Sequence, residues 1–220
     1  PSAEDVDIVD ADGDGWPDII VACELAHLIY FKNPAYDHRS LKWKRTIPEI
    51  TTNRGSFIRV FFADFNNDGK PEVVAANKGG ENPDIINAPL NNISIYLLPD
   101  NPLEGDKWEE LVLTQVRIPI NSQPVDLDLD GDMDIVVGSR GERRILWLEN
   151  EGDFKFTQHD IRLSSALDKG SWITGFNMDY GDLNGDGLLD IVSSVWPSSA
   201  YILFQPHDPA DKWNILKIGS

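Results

Sequence analysis

The chain has 220 residues and carries 37 Asp and Glu against 19 Lys and Arg, a formal charge of −18 that would repel nucleic-acid phosphates and excludes that partner class. A hydrophobic share of 41% with seven Trp argues for a packed chain rather than a disordered one. No apolar run approaches the roughly 18 residues of a membrane helix, which predicts no membrane insertion, and the lone Cys23 excludes an internal disulfide.

The chain opens on Pro1 rather than Met, as expected of a processed or excised piece. Its first run, Val6–Val9, leads into Asp10-Ala-Asp12-Gly-Asp14-Gly15-Trp16-Pro-Asp18. Two short β-type runs follow, Ile19–Ala22 and Leu28–Phe31, and then an aromatic-led run from Trp43 to Ile47. The same series returns with Phe57–Phe62, the loop Asp64-Phe-Asn66-Asn-Asp68-Gly69-Lys70-Pro-Glu72, the runs at Val73 and Ile93, and Trp108. It returns again around Val125 with Asp126-Leu-Asp128-Leu-Asp130-Gly131-Asp132-Met-Asp134, the runs at Ile135 and Ile145, and Phe154. The last copy runs from Trp172 through Asp182-Leu-Asn184-Gly-Asp186-Gly187-Leu188-Leu-Asp190 to Ile191, Tyr201 and Trp213. No stretch offers an amphipathic helix, and residues 163–169 leave room for one short turn at most.

The loops begin at 10, 64, 126 and 182, intervals of 54, 62 and 56 residues. Such a period suits one four-stranded propeller blade per repeat. The expected architecture is all-β: four blades at about 1–50, 51–116, 117–164 and 165–220, in one segment spanning 1–220. The strand that enters each acidic loop should be innermost, and the outer aromatics should pack between neighbouring blades.

Each loop places side-chain oxygens at positions 1, 3, 5 and 9 and a glycine at 6. Ca²⁺ takes six to eight oxygens, and glycine permits the sharp turn that gathers them. The predicted ligands are Asp10, Asp12, Asp14 and Asp18; Asp64, Asn66, Asp68 and Glu72; Asp126, Asp128, Asp130 and Asp134; and Asp182, Asn184, Asp186 and Asp190. The position-7 carbonyls of Trp16, Lys70, Asp132 and Leu188 complete the sets, for about four ions. An EF-hand loop would close with Glu at position 12 between helices, whereas here the last acid is at 9 and strands follow. Loops two and four, with Asn at position 3, should bind more weakly than one and three.

The recurring D-x-[DN]-x-[DN]-G-x-x-[DE] before a short β run and a Tyr- or Trp-bearing strand resembles the FG-GAP/VCBS repeat. That family includes the integrin α-subunit propeller, fungal lectin propellers, and propeller domains of some polysaccharide lyases and sugar dehydratases. The resemblance implies a calcium-stabilised extracellular or cell-surface module for a carbohydrate or protein ligand. Its alternatives are a sugar lyase or dehydratase with an axial active site, and a purely structural scaffold. Family propellers are usually seven-bladed, so four repeats imply a piece of a larger ring or an assembly that completes it between chains, with a compact four-bladed ring as the alternative.

If the loops form one face, the opposite face should carry function. Its predicted connections are 23–27, 76–92, 139–144 and 195–200, with 48–56, 117–122 and 163–171 between blades. Lys78, Glu81, Asn82, Arg140 and Trp196 are the candidate ligand residues, with Trp196 offering a stacking platform. Glu24 and His27 are the candidate acid–base pair for the enzyme reading. Asn92-Ile-Ser94 matches an N-glycosylation acceptor. There is no GxSxG, HExxH, phosphate loop or CxxC pair, so the well-marked catalytic classes have no support.

Overall fold

A computed structural model describes residues 2–37, 39 and 42–218, so Pro1 lies outside the described residues. Strands β1 (Ala3–Val9), β2 (Asp18–Cys23), β3 (Leu28–Lys32) and β4 (Lys44–Thr46) form an antiparallel sheet in sequence order. The second sheet is β5 (Phe57–Ala63), β6 (Glu72–Asn77), β7 (Leu90–Leu97) and β8 (Glu109–Arg117). The third is β9 (Pro119–Val125), β10 (Asp134–Ser139), β11 (Arg144–Asn150) and β12 (Phe156–Asp160). The fourth holds β14 (Trp172–Gly181), β15 (Asp190–Trp196), β16 (Ser199–Phe204) and β17 (Lys212–Lys217), with β13 (Arg162–Leu163) added parallel to β17.

This is an all-β, propeller-like arrangement. The innermost strands follow one another: β1 packs on β5, β5 on β9, and β9 on β14. No comparable packing joins β14 to β1 among the described residues.

Burial explains why the sheets stack. Alternate residues along a strand face opposite sides, so each inner sheet presents an apolar face to both neighbours. Ile20 and Tyr30 of the first sheet bury against Val60, Phe62, Val73 and Trp108 of the second. Phe65 and Val74 meet Ile135 and Leu148 across the next junction, and Val136 and Trp147 meet Ile191 and Leu203 across the third. The aromatic of the outer strand serves the same packing: Trp108 tilts against Tyr30 with ring centroids 6.2 Å apart, and Trp213 is wholly buried.

Side-chain amides tie the sheets where the backbone ladders cannot. Asn150 Nδ2 donates to the carbonyls of Phe65 (2.8 Å) and Met133 (3.1 Å), and Gln205 Nε2 donates to Leu127 O (2.9 Å). At the third junction β10 and β14 approach so closely that a Cβ on Gly138 would lie 2.5 Å from Gly175 O. Only glycine fits there.

Four local expectations need correction. Residues 117–122 are not a connection: β9 starts at Pro119, leaving Ile118 alone between β8 and β9. The second long loop spans 78–89 rather than 76–92, because Leu90–Asn92 extend β7 against β8. Asn92 therefore sits inside a sheet, bonded to Glu110 and Gln115, and Ser94 is buried, which removes the exposed acceptor loop that glycosylation needs. Residues 162–163 extend the fourth sheet, a parallel pairing with no signature in so short a stretch.

Candidate functional site

All four acidic loops are hairpins joining the innermost strand of a sheet to its second strand, so they share one end of the assembly. Their internal bonding repeats. The position-1 carboxylate accepts the position-6 glycine N–H at 2.8 Å in Asp10, 2.8 Å in Asp64, 3.1 Å in Asp126 and 3.0 Å in Asp182. Those glycines, Gly15, Gly69, Gly131 and Gly187, adopt φ between 83° and 100°. An L side chain there would be strained, which is why the sequence keeps glycine at this position in every copy.

Position 9 is buried in each loop, and its carboxylate accepts the position-2 N–H: Ala11 to Asp18, Phe65 to Glu72, Leu127 to Asp134, and Leu183 to Asp190. Asp18 also accepts the Tyr30 hydroxyl at 2.5 Å and Asn33 N–H at 2.7 Å. Burial without a full countercharge pushes Glu72 and Asp134 up to about 7, and raises Asp18 as well.

The loops differ at position 3. Oxygens of Asp10, Asp12 and Asp18 lie within 4.8 Å of one another, as do those of Asp126, Asp128 and Asp130. One oxygen of Asp12 and one of Asp126 are buried with no hydrogen-bond partner among the described residues. A buried carboxylate oxygen without a donor is costly, and a hard divalent cation would satisfy both clusters. In the other two loops the amide of Asn66 or Asn184 donates to the carboxylate of Asp68 (3.2 Å) or Asp186 (2.9 Å), an internal substitute for positive charge. Lys32 complicates the first loop, because its ammonium pairs with Asp12 and reaches Asp14 at 3.0 Å.

At the other end of the innermost strands lies a cavity of about 670 Å³. All four sheets contribute to it: Glu4, then Ile58 and Arg59, then Ile120 and Arg140, then Trp172, Phe176 and Trp196. Of the candidate ligand residues, Lys78, Asn82, Arg140 and Trp196 line it, and Glu81 does not. The floor is apolar and aromatic. Trp196 stacks on Trp172 with ring centroids 5.8 Å apart and planes at 21°, and Arg143 lies over the Trp172 ring at 4.4 Å. Arg59 covers Phe176 at 4.8 Å and bonds Asn177 at 3.3 Å. The buried Nε of Arg140 has no partner among the described residues, whereas Lys78 is paired with Glu24.

Neither Glu24 nor His27 lines this cavity. The Lys78 ammonium holds the Glu24 carboxyl below its usual range, and burial, then Arg45, lowers His27. Glu24 and His27 therefore do not share this cavity with Arg140. Trp172, Phe176 and Arg59 were missed from the sequence. Their spacing is that of ordinary inner-strand residues, and only the approach of sheets two and four around the axis makes them neighbours.

Consecutive four-stranded antiparallel sheets, each entered through the same glycine-turned acidic hairpin, define a β-propeller repeat protein. The FG-GAP-like repeat model matches residues 10–75 and 126–193, more than half of the chain, and the chain belongs to that family. No curated protein matches. Among solved structures the chain is similar to a lectin of Agrocybe aegerita, whose structure was reported as the basis of its specific recognition of non-reducing terminal N-acetylglucosamine. The identity is 17% and the TM-score 0.52, over 95% of this chain and 50% of the lectin. The chain thus spans about half the length of that relative, and the likeness is one of fold.

Proposed function

We propose that the chain is a calcium-clamped extracellular binding module that takes a carbohydrate in the cavity opposite the acidic loops. The observation that carries this reading is the Trp172–Trp196 stack at the cavity wall, with Trp196 57% exposed. An aromatic face open to a concave site can stack on the apolar face of a sugar ring, and Asn82, Lys78 and Arg140 supply convergent polar groups. The lectin-like fold supports the same reading without naming this chain's sugar.

Calcium would be held by the loop carboxylates and amides named above and would supply positive charge where like charges crowd. The orphan oxygens of Asp12 and Asp126 support this, as does the amide substitution that ranks loops two and four as the weaker pair. The test is binding of a panel of oligosaccharides by the wild type and by Trp196→Ala, with calcium content measured in both. Sugar binding that is lost in the variant while calcium is retained supports the proposal. No sugar bound by the wild type, or binding untouched by the variant, overturns the site.

A further inference from the structure

The cavity opposite the acidic loops is built by an irregularity that recurs in every innermost strand. The register against the second strand slips between Ala3 and Asp5, between Phe57 and Arg59, between Pro119 and Asn121, and between Ile173 and Met178. The residues left out of the ladders are Glu4, Ile58, Ile120 and 174–177. Of these, Glu4, Ile58, Ile120, Thr174 and Phe176 line the cavity. A bulged residue is freed from the ladder and its side chain is re-aimed, and here the bulges of four sheets serve one space.

Two arginines stand at this space with no acid to meet them. Arg59 directly follows a bulged residue. Its guanidinium covers Phe176 and donates to neutral oxygens, Ile58 O at 3.2 Å and Asn177 Oδ1 at 3.3 Å. Arg140 follows β10, where its N–H donates to Ile118 O at 3.0 Å and that of Gly141 to Arg117 O at 3.1 Å. A Cβ on Gly141 would lie 2.6 Å from Arg117 Cβ, so the turn that carries Arg140 is tightly seated. The buried Arg140 Nε has no partner, and neither guanidinium meets a carboxylate among the described residues. Elsewhere Arg54, Arg117 and Arg144 each pair with a glutamate, in a chain where acids outnumber bases 37 to 19. Lys78, the third cation at the cavity, is neutralised by Glu24. Glu4, the one acid among the lining residues, accepts the Ser2 hydroxyl at 2.8 Å.

The loop carboxylates that carry much of the charge of −18 are remote from this space. Arg59 lies five residues before Asp64, the first acid of loop two. That is about 16 Å of extended strand, about twice the Debye length at physiological salt.

We propose that the sugar taken by this cavity is acidic: a ring stacks on Trp196 while an oxyanion it carries, a carboxylate or a sulfate, is held by Arg140 and Arg59. The guanidinium is a planar fork that meets either oxyanion with two parallel hydrogen bonds. In a cavity walled by apolar and aromatic side chains, that pairing is worth more than it is in bulk water. The inference rests on the carbohydrate reading of this cavity and adds the chemical class of its ligand.

The test is calorimetric titration at fixed free calcium with matched pairs of oligosaccharides. Galacturonate, alginate and hyaluronan oligomers are each compared with their own carboxyl-reduced forms, and a carrageenan oligomer with its desulfated form. At least one acidic member should bind about tenfold or more tighter than its neutral counterpart, and the pairs that differ tell carboxylate from sulfate. In Arg140→Gln and in Arg59→Gln that ratio should fall about fivefold or more. Arg140→Lys, which keeps the charge and loses the fork, should retain part of it and serves should a glutamine impair folding. Neutral forms bound as tightly as the acidic ones would overturn the acidic class and leave the carbohydrate reading standing. A preference untouched by every arginine variant would place the recognition of charge elsewhere and overturn it equally. A wild type that binds no sugar, acidic or neutral, would overturn both.

Discussion

The indole of Trp196 lies nearly parallel to that of Trp172, 5.8 Å away, with its outer face open to the axial cavity. Trp172 starts the innermost strand of the fourth sheet and Trp196 ends the strand beside it, and the two are register partners. The pair is built by sheet pairing, so removing the exposed member should leave the sheet in place. Trp196→Ala should weaken carbohydrate binding by the loss of one stacking platform, about 1–3 kcal/mol by analogy with bases on aromatics, or roughly 5- to 150-fold in Kd. Isothermal titration of both proteins with the best sugar from the panel measures the ratio.

Chelation should lower the melting temperature. Each loop crowds three or four carboxylates, and a ligand that binds only the folded state stabilises it by RT ln(1 + [L]/Kd), about 2.7 kcal/mol per site at a hundredfold excess. Asp130→Ala, which removes one member of the third cluster, should reproduce part of the loss. Calorimetric titration should resolve loops one and three from loops two and four. A melting curve unchanged by excess chelator would count against the clamp.

The chelated protein should also respond to pH in an unusual direction. Glu72 and Asp134 are pushed up to about 7, well above the values near 4 of an unfolded chain. A raised carboxyl contributes stability that is fully present below its unfolded value and is lost as pH rises through the folded one. In chelator, thermal stability should therefore fall as pH rises from about 4 to about 7 and level off above that. Saturating calcium, which binds the ionised forms, should flatten or reverse that slope. Melting temperatures on a pH series with and without the metal give both signs.

Lys32 should act as a rival to the metal in the first loop. Its ammonium lies against Asp12 and Asp14, two of the predicted ligands. Lys32→Met keeps much of the side chain's length and removes the charge. Calcium should then bind the first loop several-fold more tightly, and a titration that shows no change would place the lysine outside the site.

Asn150→Ala should be among the more damaging single substitutions. The side chain is fully buried, and its amide satisfies the carbonyls of Phe65 and Met133 across a sheet junction. Truncation leaves both carbonyls without a donor, and a buried orphan costs about 1–3 kcal/mol. A loss of about 2 kcal/mol or more is expected in urea titrations at unchanged m-value.

How much of this was legible in the chain follows from the range of the forces involved. The acidic loops are local: position 1 bonds position 6, and position 9 bonds position 2, all within nine residues, so spacing alone specified them. Strand runs were legible for the same reason, since alternation and turn residues act between neighbours in sequence. The limits appear where pairing partners are distant. Pro119–Ser122 read as a connection because Pro, Asn and Ser are turn formers, yet pairing with β10 makes them strand. Asn92 read as a loop residue because the register of β7 on β8 is set some twenty residues away.

The sequence by itself determined the repeat, the hairpins and the hydrogen-bonded turn of each loop, because those depend on backbone turns and short-range bonds. Only the tertiary structure decided that Arg59, Arg140, Trp172 and Trp196 share one cavity and that His27 lies outside it. It alone showed that Val6 and Ile8 are left open while Val60 and Phe62 are sealed. The physical reason is common to both. Residues of the same type at the same place in their repeats differ in environment according to which sheet stands beside them, and that neighbour is brought by the stacking of whole sheets.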